Sequence, residues 1–115
     1  RALLGVTESA PTLYFTRDSG PFLRHLPYVS SDAIALDWRV DIGYARAMLG
    51  DIPVQGNLDP IALQAPVQTI KKRVHDIIET AGPKGHIFNL GHGCTPETPI
   101  EGVQAVVDAV TGWAW

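Results

Sequence analysis

His86-Ile-Phe-Asn-Leu-Gly-His-Gly-Cys94 opens as an apolar strand and runs into Gly91-His92-Gly93 and then a proline-rich turn. Pro99 and Glu101 follow, suited to the first turn of a helix, which then carries Val103, Val106, Val107 and Val110. The stretch thus reads as one strand–loop–helix unit, and similar units precede it. Thr12 to Thr16 is a β-rich run followed by the turn residues Arg17 to Gly20, and Phe22, Leu23, Leu26 and Val29 then fall at helical spacing. Ala33 to Leu36 is a second apolar run ending in Asp37-Trp38. Asp41 is placed to cap a helix from Ile42 to Leu49, with Gly50 at its end. Within Pro53 to Pro60 lies a third, very short strand that breaks at Gly56. A longer helix, from about Pro66 to Thr80, sets Val67, Ile70, Val74, Ile77 and Ile78 on one face. Residues Arg1 to Ala10 read as the tail of a preceding helix or a loop.

About four βα units at this spacing call for right-handed crossovers and a parallel sheet in an α/β fold. Two architectures meet that pattern: a small open sheet, or part of a (β/α)8 TIM barrel. A full barrel needs roughly 250 residues, so four units in 115 residues come close to half. No internal domain boundary interrupts residues 1–115. A part-barrel standing alone leaves strand edges and an apolar inner face uncovered, which calls for marginal stability or self-association.

Composition narrows the function. An apolar content of 45% and a charged content of 18% are those of a globular chain. The net charge of -3 argues against nucleic-acid or anionic-membrane surfaces, and the largest basic cluster, Lys71-Lys72-Arg73, reads as a solvated helix face. No apolar run approaches the roughly 18 residues of a membrane span. The single cysteine, Cys94, excludes an internal disulfide framework and suits a reducing cytosol. Starting at Arg1, the sequence reads as a fragment or a processed piece.

In α/β folds ligands bind beyond the carboxyl ends of the strands. Those ends carry Arg17-Asp18-Ser19, Asp37-Trp38, Gln55 to Asp59 and Gly91-His92-Gly93. His92, between two glycines, has backbone freedom on both sides and the side chain that titrates nearest neutral pH. A loop histidine capping the following helix is an equally good reading of that residue alone. Asp18 and Asp41 read as structural caps, and Asp37 as an inward hydrogen-bonding group. Gly56 reads as a bend or a close backbone approach, and Asn57 and Asp59 as partners for loop amides. His25 and His75 read as exposed helix residues, and His86 as a residue at the amino end of a strand. Trp113 and Trp115 either pack the last helix back or fray.

Taken in order, Leu36-Asp37-Trp38, Gln55-Gly-Asn-Leu-Asp-Pro60 and Asn89-Leu-Gly-His-Gly93, followed by Pro96 and Thr98-Pro99, resemble the C-terminal portion of the uroporphyrinogen decarboxylase family. The resemblance runs from about Pro11 to Val110. It implies the C-terminal third of a single (β/α)8 barrel, in a cytoplasmic, homodimeric enzyme of haem and chlorophyll biosynthesis that needs no cofactor or metal. The implied reaction removes the four acetate carboxyls of uroporphyrinogen III as CO2 and yields coproporphyrinogen III. One of the family's substrate-contacting residues falls within this sequence, the histidine of Gly-His-Gly, here His92. The others, the catalytic proton donor among them, belong to the N-terminal part of the barrel, so the chain by itself is expected to be inactive. An alternative in the same superfamily is a zinc-dependent corrinoid or thiol methyltransferase, for which His92 and Cys94 form a possible ligand pair. Those enzymes resemble this sequence with a cysteine in place of His92, and Cys94 reads better as a small buried or half-buried thiol. A non-catalytic truncated half-barrel is the third reading.

Overall fold

The computed structural model describes residues 10–115; the reading of residues 1–9 lies outside the described residues. Four short strands, β1 (Leu13–Phe15), β2 (Ala33–Ala35), β3 (Val54–Gln55) and β4 (His86–Ile87), form one sheet in the order β1-β2-β3-β4. Every pair is parallel, and an isolated bridge between Leu58 and Leu90 extends the last one. Strand order that follows chain order, with each crossover returning on the same side, is barrel-type winding; an open doubly wound sheet reverses its order partway.

The crossovers are a 3-10 helix (Gly20–Val29), α1 (Ile42–Leu49), a short 3-10 helix (Pro60–Gln64) leading into α2 (Val67–Ala81), and a final helix α3 (Ile100–Thr111) after β4. Tyr14, Ile34, Leu36 and Val54 point toward this helical layer and pack with Leu23, Leu26, Ile42 and Leu49. A second cluster joins Leu58, Ile70, Val74 and Ile78 to Ala105 and Ala109 of α3, and Ile77 packs against both clusters. Ile70, Val74 and Ile78 on the inner face of α2 each contribute about 1.5–3 kcal/mol by leaving water. The opposite sheet face carries Leu13, Phe15, Ala33, Ala35, Gln55 and Ile87, in register across the strands. No described helix covers it, and Leu13, Phe15 and Ile87 remain 44%, 44% and 50% exposed.

Two helices differ from the sequence reading. Residues 20–29 wind as a 3-10 helix because Pro27 lacks the N–H an α-helical ladder needs there. A three-residue period buries Leu23 and Leu26 together and turns Phe22 outward. In α3 the buried stripe is Gly102, Ala105 and Ala109, while Val106 and Val110 are half-buried and Val103 and Val107 face outward. Small residues let α3 approach the Pro60–Gln64 helix and α2 closely, and close backbone packing outweighs the larger valines. The strands, α1 and α2 stand where the sequence puts them, though β4 ends at Ile87 before the Leu58–Leu90 bridge, and the Pro60–Gln64 3-10 helix is a further element beyond the sequence reading. Asp41 caps α1 by accepting from the Tyr44 N–H at 2.7 Å.

Candidate functional site

The loops leaving the carboxyl ends of the strands are fastened to one another by buried polar groups. Asp37, fully buried at the end of the β2 run, accepts from the backbone N–H of Asp18 and from that of Arg39 at 2.8 Å. Its side chain thus fixes the loop after β1 to the loop after β2. Asn57 extends the fastening: its Nδ2 donates to the carbonyls of Asp37 at 2.9 Å and Val40 at 2.6 Å. The sequence reading gave Asn57 a role toward loop amides; its partners are carbonyls, because the amide nitrogen rather than the oxygen faces the β2 loop. Asp59 does accept from an amide, Ile61 N–H at 3.0 Å, at the start of the short 3-10 helix. Gly56 has φ +132, and a Cβ there would lie 2.9 Å from the Leu36 carbonyl oxygen, so only glycine lets β3 pass this close to β2.

The loop after β4 rests on this platform. Gly91 donates to the Leu58 carbonyl at 2.7 Å, and a Cβ on Gly91 would come within 2.8 Å of Trp38 Cα. That contact brings His92 over the β2 loop. The His92 ring packs edge to face against Trp38 (centroids 5.7 Å apart, planes at 82°) and stands 6.2 Å from the Phe15 ring. Phe15 belongs to the helix-free sheet face, which places His92 at the mouth of that face. The imidazole is itself solvent-exposed and available to a ligand. Beside it the Arg39 guanidinium lies 4.2 Å from the Trp38 ring centroid and 3.2 Å from Asp18 Oδ1.

Of the residues singled out from sequence, His92, Asp37, Asn57 and Asp18 come together here. Asp18 is not a helix cap; its carboxylate pairs with Arg39. Phe15, Trp38 and Arg39 complete the group and were missed as site residues. The only signal was the tryptophan directly following Asp37.

The other candidates lie apart. Cys94 is exposed, not buried, because it follows Gly93 in an irregular loop that no described element covers. Among the described residues no group of three His, Cys, Asp or Glu side chains converges as a metal site. His25 is exposed, whereas His75 is half-buried with its ring 4.9 Å from Trp113. Trp113 therefore packs the end of α3 onto α2, while Trp115 is 66% exposed. His86, half-buried, places its Nε2 2.6 Å from the Gly56 carbonyl, and burial pushes its pKa below the ordinary value. Lys72 pairs with Asp76 at 2.7 Å on the solvated face of α2. A cavity of about 430 Å3 opens behind Trp38, between the loops after β2 and β3 and the Arg73–Thr80 part of α2. Its carboxylates already serve the fold: Asp41 and Asp59 hold helix starts and Asp76 pairs with Lys72. Among the described residues no helix is long and apolar enough to cross a membrane.

Singly wound parallel strands with a polar rim at their carboxyl ends define the class: part of a (β/α)8 barrel whose ligand-binding end holds His92. A methyltransferase from Methanosarcina mazei shares the fold with a TM-score of 0.78 at 21% identity, over 90% of this chain and 32% of its own. The family model for uroporphyrinogen decarboxylase (URO-D) matches residues 1–113, and the chain belongs to that family. Relatives named uroporphyrinogen decarboxylase include those of Aromatoleum aromaticum, 45% identical over 90% of this chain, and Gloeobacter violaceus, 43% identical over 95%. This chain spans 30% and 32% of those two relatives. That coverage fits the C-terminal portion named from the sequence.

Proposed function

We propose that this chain is the His92-bearing part of a uroporphyrinogen decarboxylase, converting uroporphyrinogen III to coproporphyrinogen III in tetrapyrrole biosynthesis. The observation that carries the reading is the exposed His92 ring, held by Phe15 and Trp38 at the mouth of the barrel's inner face, in a chain of this family.

Each turn of the reaction replaces an acetate arm by a methyl group: one proton is taken up and one CO2 is released. Protonation of a pyrrole carbon makes the ring an electron sink, and the arm's C–C bond then breaks with its electron pair flowing into the ring. A second proton converts the resulting methylene to methyl, and the first proton leaves the ring carbon. The ring supplies the sink, so the protein's tasks are to bind several carboxylates and to deliver protons. His92 serves the first task, donating a ring N–H to a substrate carboxylate. The proton donor belongs to the remainder of the barrel, in a cytoplasmic homodimer without cofactor or metal.

The test is anaerobic turnover of uroporphyrinogen by this chain alone and after mixing with the N-terminal segment of a relative. Products are oxidised and separated by carboxyl number, and zinc is measured on the same folded sample. Conversion only in the mixture, lost on His92→Ala, is the expected result. A folded mixture that converts nothing and keeps stoichiometric zinc would point instead to the methyltransferase branch.

A further inference from the structure

Arg39 lies beside the His92 platform, and its surroundings differ from those of an ordinary surface arginine. Its guanidinium lies over the same indole that packs against His92, with its carbon 4.2 Å from the Trp38 centroid and the His92 centroid at 5.7 Å. Stacking fixes the plane of the guanidinium fork, so less conformational freedom remains to be lost when it binds a carboxylate. Its partner, Asp18 Oδ1 at 3.2 Å, is a weak hold, since the two side chains are 48% and 63% exposed and water screens them. Asp18 is itself fixed through its backbone, whose N–H donates to buried Asp37, and its φ of 55° lies in the left-handed region that Asp and Asn tolerate. The carboxylate is therefore presented to Arg39 by a loop that does not depend on the pair.

We propose that Arg39 is a second substrate-carboxylate contact, acting with His92 on neighbouring acid arms of one pyrrole, and that Asp18 holds the guanidinium on Trp38 until a substrate carboxylate displaces it. The proposal rests on the uroporphyrinogen reading above. Each pyrrole of that substrate carries two adjacent carboxylate arms, and a donor imidazole and a guanidinium sharing one indole suit two anions on one ring. Asp18 holds on Arg39 the place that the second anion would take. It also opposes a wrong occupant, because a ligand without a carboxylate at that position cannot compete for Arg39.

Uroporphyrin, the oxidised octacarboxylate that cannot be decarboxylated, is the probe. Its binding to the full 115-residue chain is followed by the anisotropy of its own fluorescence at two salt concentrations. Arg39→Gln is expected to weaken binding about tenfold and to flatten the salt dependence, and Arg39→Lys, which keeps charge but not the fork, about threefold. Asp18→Asn, which preserves the backbone conformation, is expected to tighten binding about threefold, and only while Arg39 is present. The opposite signs separate this role from a structural ion pair, whose loss from either side weakens binding alike. If His92→Ala weakens binding while Arg39→Gln stays within about twofold of the parent, or if Asp18→Asn also weakens it, the Arg39 role fails and the uroporphyrinogen reading stands. If the parent chain does not bind the porphyrin, the Arg39 role fails and the turnover of the mixture decides the uroporphyrinogen reading; if the parent binds and His92→Ala changes nothing, both fail.

Discussion

Gly91 and Trp38 touch backbone to backbone: a Cβ on Gly91 would stand 2.8 Å from Trp38 Cα and 2.9 Å from the Asp37 carbonyl carbon. The loop that carries His92 is therefore positioned by contact with the loop after β2, and the missing side chain is what permits the contact. Gly91→Ala is expected to cost about 2–3 kcal/mol as overpacking against main chain that cannot yield. Gly93→Ala is the control, since no atom of the described residues lies within 4 Å of its Cβ position; its change should stay within about 0.5 kcal/mol. Urea unfolding of the two variants checks this.

Asp37 holds two loops through one carboxylate. In Asp37→Ala the Asp18 and Arg39 N–H groups lose their acceptor, at a cost of about 2–4 kcal/mol. Asn57→Leu also removes a support of the same loop, because Asn57 donates to the Asp37 carbonyl. The double variant should be less destabilised than the two single changes added together, since either one already frees the loop. A double-mutant cycle in urea measures the coupling; strict additivity would sink the idea of a shared support.

Burial holds the His86 imidazole below its ordinary 6.5, against the opposing pull of its bond to the Gly56 carbonyl and with help from the Arg46 charge. The folded state thus binds its proton at lower pH than the unfolded chain does. Stability is complete above pH 6.5 and declines as pH falls below it toward the folded value. His86→Gln, which keeps a donor for Gly56, should flatten that decline in thermal melts recorded from pH 7.5 down to about 5.

Asp32 ties the starts of β1 and β2, accepting from Thr12 N–H at 2.7 Å and Thr12 Oγ1 at 2.9 Å. The backbone bond from Thr12, then its hydroxyl, holds the carboxyl below its ordinary 3.8. The sign is opposite in charge but the same in pH: the contribution is present above 3.8 and disappears as pH falls through the folded value. Asp32→Asn should lower stability by a constant amount above pH 3.8 and flatten the decline below it, which urea unfolding at neutral pH and at about pH 3 checks.

The helix-free face of the sheet exposes Leu13, Phe15 and Ile87 between the β1 and β4 edges, which no described strand pairs. In isolation the chain should self-associate through this face. Sedimentation velocity over a concentration series is expected to show larger species that diminish in a Phe15→Lys, Ile87→Lys variant. Identical behaviour of parent and variant would assign any association to another surface.

The legible parts of the molecule were those set by local chemistry. Alternating apolar runs and amphipathic stretches located the strands and α2, and the Asp41 cap with Gly50 bounded α1 to the residue. Pro27 held the clue to the 3-10 winding of residues 20–29, but helical and three-residue spacings share Leu23, Leu26 and Val29, so the apolar pattern does not separate them. The inward stripe of α3 was misread because hydrophobicity ranks valine above glycine and alanine, while the space between α3 and the Pro60–Gln64 helix admits only the small residues. Cys94 was misplaced for a related reason: a thiol's burial depends on what passes over its loop.

What the sequence determined by itself was the parallel βα order, the polar character of the strands' carboxyl ends and the place of His92 between two glycines. These follow from periodicity, caps and backbone freedom, which act over a few residues. What only the tertiary structure decided was the company His92 keeps. Phe15, Trp38 and Arg39 stand on other βα units, and they reach the imidazole because parallel register brings successive strand ends to one rim. Asp37, Asn57 and the bare Cα of Gly91 then fix how closely those ends approach, a matter of buried hydrogen bonds and backbone contact that no local pattern encodes.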